Sequence, residues 1–109
     1  MKQISFMLTE IKSGKKIGVV GIKQVETDTV EVSYLLDESA RGKGYASEAV
    51  CKVMFFSKDH WGCIWAIAEI HRENSASIKM IQKLGFQKND SHGDFEIFKR
   101  DNSCISELI

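Results

Sequence analysis

Residues 30–49 read VEVSYLLDESARGKGYASEA, and two periodicities meet inside them. Val30, Val32, Tyr34 and Leu36 alternate with Glu31, Ser33 and Leu35, the two-residue period of a half-buried strand. From Ala46 the apolar residues fall at 46, 49, 50, 53 and 54, the stripe of an amphipathic helix expected to run to about Lys58. Between strand and helix lies a glycine-rich loop that opens straight into the helix. The free N–H groups of a helix start and the helix dipole both favour an anion there. Gly42 and Gly44 let a phosphate approach the backbone, while Arg41 adds a bidentate fork and Lys43 a point charge. No Gly-Lys-Ser/Thr closes the loop as in a Walker motif, and its glycine spacing is not that of a dinucleotide fingerprint.

Upstream, Ile4, Phe6 and Leu8 alternate with Ser5, Met7 and Thr9, and residues 17–22, IGVVGI, supply a second strand. The polar turn at 12–16 pairs these two as a hairpin, and the turn at 26–29 makes residues 30–36 a third antiparallel strand. Gly18 and Gly21 mark a bulge or a close backbone approach. Downstream, after a break at 60–62, residues 63–70, CIWAIAEI, are apolar enough for a strand covered on both faces, and therefore central. Asn74 is a good N-cap for a helix carrying Ile78, Ile81 and Leu84 on one side, with Gly85 as its left-handed stop. Residues 86–100 read as two short strands around a turn at 89–94, with Phe95, Ile97 and Lys99 alternating against Glu96 and Phe98. The final NSCISELI is too short to assign.

A chain of 109 residues with 43% hydrophobic and 28% charged residues describes one domain, residues 1–109. Fifteen Lys and Arg balance fifteen Asp and Glu, so the overall field that draws proteins to nucleic acid or anionic lipid is absent, and any anion site must be local. No apolar stretch approaches the roughly 18 residues of a membrane span, and no signal peptide is apparent. Cys51, Cys63 and Cys104 are odd in number and lack redox or zinc spacing, which reads as reduced thiols in a cytoplasmic protein. His60, Cys63 and His71 have no fourth ligand at a usual spacing, so no metal is expected. Trp61, Trp65, Phe55 and Phe56, without a basic stripe, read as packing rather than base stacking. Proline is absent, leaving helix ends to Asn, Ser and Gly.

The loop and the second helix together resemble the GNAT superfamily of N-acetyltransferases. Its acetyl-CoA loop reads Arg/Gln-x-x-Gly-x-Gly/Ala, here Arg41, Gly42, Lys43, Gly44, Tyr45 and Ala46. Its next helix begins Asn-x-x-Ala/Ser and ends Leu-Gly-Phe, here Asn74, Ser77, Leu84, Gly85 and Phe86. The wording looks most like the branch that includes the ribosomal-protein N-terminal acetyltransferases, and the resemblance covers about residues 3–100. It implies an α+β fold with a mixed, mostly antiparallel sheet of about six strands and two main helices. The chain starts at what corresponds to the family's second strand, so the first strand and first two helices are expected to be lacking. In the family that segment helps wall the acceptor side, so either the acceptor groove is open or a second copy of the chain completes it, and a homodimer is expected.

Carried over by position, the resemblance places the backbone of Leu35 and Leu36 beside the pantetheine and thioester, residues 41–46 around the pyrophosphate, and Asn74 and Ser77 on the cofactor arm where two strands splay. The implied reaction is direct attack of a neutral amine on acetyl-CoA, which needs a base and an acid. Glu31 is the first candidate base, with Glu69 and His71 behind it. Family members often place an acidic Tyr seven residues after the helix Asn; here that position is Ile81. Ser77, acting through a water, is the candidate acid, unless coenzyme A leaves as the thiolate. The expected partners are acetyl-CoA and a primary amine of a small molecule or a peptide or protein, with neither nucleic acid nor membrane. The alternative is a non-catalytic, shortened module that binds coenzyme A or a protein partner.

Overall fold

Apolar alternation draws the first third of the chain into a meander of β1 (Gln3–Thr9), β2 (Lys16–Glu26) and β3 (Thr29–Leu36), in a computed structural model that describes residues 1–103. Phe6 pairs with Val20 and Val20 with Tyr34, so the inward residues of all three strands share one face. Beyond the loop, α1 (Tyr45–Trp61) runs one turn further than Lys58, because Gly62 at φ 70° lets its N–H reach the Lys58 and Ser57 carbonyls. The chain then returns as β4 (Trp65–His71), parallel to β3, so α1 is a crossover helix. It continues through α2 (Ser75–Lys83), β5 (Gln87–His92) and β6 (Phe95–Asp101). The sheet order is β1-β2-β3-β4-β6-β5, and every pair except β3 with β4 is antiparallel.

One core forms where Val50 and Met54 of α1 and Ile81 of α2 meet Val20, Ile22, Val30, Val32, Ala66, Ala68 and Phe98 of the sheet. Because Val30 pairs with Ala66, both helices lie on the same side. β4 is central, as its apolar run suggests, but it is covered on one face only. Ala66, Ala68 and Ile70 are buried, whereas Trp65 and Ile67 are half-buried and Glu69 is exposed. The Lys99 ammonium lies 4.7 Å from the Trp65 ring centroid, which partly shields that side. On the same uncovered face Met7 and Leu35 are 60% and 68% exposed.

The last hairpin also differs from the sequence reading. Its turn is Gly93 and Asp94 alone, and residues 89–92 belong to β5. That strand, QKNDSH, is wholly exposed, so its polar run resembled a loop. An edge strand needs only backbone pairing with its neighbour, here from Gln87↔Lys99 to His92↔Phe95. The far end of β6 is tied to α1 by buried Asn102, whose Nδ2 donates to the carbonyls of Met54 at 3.0 Å and Cys63 at 2.9 Å. Cys51 and Cys63 are free and buried, and desolvation pushes both thiols up, which makes them core residues rather than nucleophiles. Cys104 and the rest of the unassigned tail from residue 104 on lie outside the described residues.

Candidate functional site

The parallel pairing of β3 and β4 spans only Thr29–Glu31 against Trp65–Ile67. Beyond it the two strands part. β3 stays bound to β2 through Leu36, which pairs with Gly18, and the Asp37 N–H donates to the Ile17 carbonyl at 2.8 Å. Gly18 allows this close course, since a Cβ there would run into the Leu35 carbonyl oxygen and lie 3.0 Å from the Leu36 Cα. The departure of β3 from β4 leaves a slot between their carboxyl ends, where both helices begin. Ligands of open sheets bind outside the carboxyl ends of parallel strands.

After a single 3-10 turn (Glu38–Ala40) the chain enters Arg41, Gly42, Lys43 and Gly44, with Gly42 at φ 78° and Gly44 at φ 80°. Gly44 is the N-cap of α1 and supplies no side-chain acceptor, so the first N–H groups of the helix are left to a ligand. At the start of α2 the Asn74 Oδ1 accepts from the Ser77 N–H at 3.2 Å. This caps the helix with the side-chain oxygen and leaves the amide donors of Asn74 for a ligand.

These pieces enclose a cavity of about 410 Å³, bounded by Tyr34, Leu35 and Leu36 of β3, by Arg41, Gly42, Gly44, Tyr45, Ala46 and Ser47, and by Asn74, Ala76, Ser77 and Met80 of α2. Of the residues expected to hold the cofactor, all meet there except Lys43, which is exposed and not on the wall. A hollow of about 600 Å³ on the other side of Tyr45, between β1 and α1, is larger. It contains no glycine loop, and its Glu48 is already paired with Lys52 at 3.2 Å. We therefore place the site in the smaller cavity. Tyr45 stands between the two and donates its hydroxyl to Glu10 Oε2 at 2.8 Å, tying the start of α1 to the first hairpin. That bond holds the Glu10 carboxyl below its ordinary range and raises the Tyr45 phenol.

The candidate bases lie elsewhere. Glu31 pairs with Lys23 and Ile67, at the last rung before the splay and on the sheet face turned away from the helices. Glu69 and His71 follow Ile67 at two-residue spacing, so the same face carries all three. None of them lines the cavity. The His71 Nδ1 accepts from the Glu73 N–H at 3.1 Å, and its ring meets Phe95 edge-on at 5.3 Å. Ile81 is fully buried in the core. Ser77 alone of the proposed acid and base groups is on the cavity wall.

Tyr34 is a cavity-wall side chain to which the sequence pattern assigns no role beyond an inward strand position. Its hydroxyl is shut off from solvent and meets no hydrogen-bond partner among the described residues. The Ser77 hydroxyl lies beside it, close enough to favour the phenolate yet outside good bonding geometry, and burial more than offsets this by pushing the phenol up. The available signal was a phenol at an inward position of β3, immediately before the two backbone units expected to touch the cofactor. Among the described residues no group of three or more His, Cys, Asp or Glu is placed to hold a metal.

A helix start with two left-handed glycines, at the mouth of a splayed parallel strand pair, has the geometry that suits an anionic group such as a phosphate. Comparison with known proteins gives the class. Residues 1–87 match the family described as acetyltransferase (GNAT) domain. An uncharacterised N-acetyltransferase of Bacillus licheniformis is 30% identical over 93 residues, which is 84% of this chain and 52% of the relative. The chain thus spans about half the length of that relative. A domain from Methanocaldococcus jannaschii superposes with a TM-score of 0.81 at 27% identity, covering 91% of this chain and 66% of the other. The spermidine N-acetyltransferase of Vibrio cholerae, described as dodecameric, shares the fold with a TM-score of 0.80 at 14% identity, covering 93% and 66%. This chain belongs to the GNAT acetyltransferase domain family.

Proposed function

We propose that this protein is an acetyl-CoA-dependent N-acetyltransferase acting on a primary amine. The observation that carries the reading is the convergence of the glycine loop, the Leu35 and Leu36 backbone, Asn74 and Ser77 on one cavity at the strand splay. The uncapped start of α1 fits a pyrophosphate, and the unpaired reach of β3 beyond Glu31 fits an amide-bearing arm lying along it. Acetyl-CoA, when bound, supplies an activated acetyl group and a thiolate leaving group. Arg41, Gly42, Gly44, Tyr45 and Ala46 hold the phosphates, with Lys43 adding charge from outside the wall. Leu35 and Leu36 orient the arm through their backbone, and Asn74 donates to it from its amide. Ser77 serves the leaving sulfur, and Glu31, one face away at the apex of the splay, is the base that deprotonates the amine through solvent.

The motif wording supports peptide N-termini as acceptors, and the fold shared with a spermidine N-acetyltransferase adds polyamines. The uncovered sheet face, with Met7 and Leu35 well exposed, supports a homodimer. The test is release of free thiol from acetyl-CoA in the presence of spermidine, small primary amines and short peptides, on protein whose mass is read by sedimentation at tens of micromolar. The expected result is amine-dependent release by a species of twice the chain mass. Bound cofactor with no amine-dependent release would contradict transfer and leave a binding module, and a monomeric mass would contradict the dimer.

A further inference from the structure

Among the described residues two buried side-chain polar atoms lack a hydrogen-bond partner, the Asn102 Oδ1 and the Tyr34 Oη, and only Tyr34 belongs to the cavity wall. A buried hydroxyl without a partner is costly, so its retention at a site calls for a role. The phenol oxygen has almost no solvent access and cannot itself meet a ligand in the cavity. Ser77, half-buried on the wall and beside the phenol, can. We propose that, when coenzyme A binds, Tyr34 positions Ser77 by donating its hydroxyl hydrogen to Ser77 Oγ, which turns the Ser77 hydrogen toward the sulfur of the bound coenzyme A.

This inference rests on the acetyltransferase reading and names a polar chain, Tyr34 to Ser77 to sulfur, built from β3 and α2. Burial keeps Tyr34 protonated, which is what a donor at the head of the chain requires. As the amine nitrogen bonds to the acetyl carbon, the carbon–sulfur bond breaks, its electron pair passes to sulfur, and Ser77 donates a hydrogen bond to that sulfur. The amine gives its proton to solvent through the base, coenzyme A is released as the thiolate, and Tyr34 keeps its own proton throughout. The buried Ile81 is then no deficit, because stabilisation of the leaving group comes from Ser77, one turn earlier on the same helix and held from β3 by Tyr34.

The experiment is a pH titration of coenzyme A bound to the protein, read by the ultraviolet absorbance of its thiolate, with binding confirmed by calorimetry. Ser77→Ala should raise the pH at which the bound thiol ionises by about one unit, the worth of a hydrogen bond to a charged group. Tyr34→Phe should raise it by about half a unit, and adding it to Ser77→Ala should change nothing more, since it acts through Ser77. Ser77→Thr, which retains the hydroxyl, should titrate near the wild type. Tyr34→Phe keeps the ring and discards the unpaired oxygen, so the free protein should melt no lower than the wild type; a merely structural hydroxyl would show the reverse. A bound thiol that ionises at the same pH in the wild type and Tyr34→Phe would overturn the proposal while leaving the cofactor site intact. Failure of the wild type to bind coenzyme A would overturn the acetyltransferase reading and this inference with it.

Discussion

Replacing Gly44 with Val should cost this chain its affinity for coenzyme A while leaving it folded. Gly44 sits at φ 80° as the N-cap of α1, and a Cβ built there meets nothing within 4 Å. The protein therefore has room for the side chain, and the damage falls on backbone conformation and on the ligand. A residue other than glycine pays about 1–2 kcal/mol in the left-handed region. A β-branched one drives the loop toward extended backbone and turns the first N–H groups of the helix away from the cavity. The side chain also stands where a phosphate must touch the backbone. We expect affinity to fall by about 100-fold or more, nearly 3 kcal/mol at about 1.4 kcal/mol per decade. Gly44→Ala should be intermediate. Calorimetry on both variants, with a thermal melt to show that each is folded, checks this; a Gly44→Val protein that binds like the wild type would remove the loop from the site.

The second large effect is expected at Gly18, in a strand remote from the loop in sequence. A Cβ there would collide with the Leu35 carbonyl oxygen, and would lie 3.0 Å from the Leu36 Cα and 3.1 Å from the Leu36 Cδ1. Two of these three atoms are backbone and cannot rotate aside. Gly18→Val must therefore open the Gly18↔Leu36 rung and move the two residues that form one wall of the cavity. Overpacking of this kind costs about 1–3 kcal/mol, and we expect the upper part of that range together with weakened coenzyme A binding. Gly21→Ala is the control, because its Cβ would meet the Ser33 and Ser5 hydroxyls at 3.2 and 3.4 Å, which can turn, and the Ile4 carbonyl oxygen at an ordinary 3.8 Å. Urea unfolding should separate the two variants clearly. Equal stability would mean that β2 and β3 are not held as closely as described.

The elements around the site were legible because each carries a local signal. Alternation marks β1 to β3, the shift to helical spacing at Ala46 marks α1, and Asn74 with Gly85 brackets α2. The loop glycines were legible for the same reason, and they do take the left-handed backbone that only glycine adopts readily. What was not legible depends on pairing. The polar β5 is a strand because β6 lies beside it. The apolar run of β4 suggested two covered faces, but both helices pack on one side of the sheet. Glu31, Glu69 and His71 share the far face through the Glu31↔Ile67 register, which sequence spacing alone does not reveal. Tyr34 comes to lie beside Ser77 only because β3 and β4 part after three rungs.

The most direct test of the account is a thermal-shift titration of the wild-type chain with acetyl-CoA, coenzyme A and ATP in parallel. A ligand at a hundred times its dissociation constant stabilises the folded state by about 2.7 kcal/mol. For a domain of this size that is a rise of roughly ten degrees or more. That rise is expected with acetyl-CoA and with coenzyme A, and none with ATP, which lacks an arm to lie along β3. No rise with either coenzyme A species, at concentrations that saturate other members of the family, would contradict the assignment of this cavity as their binding site.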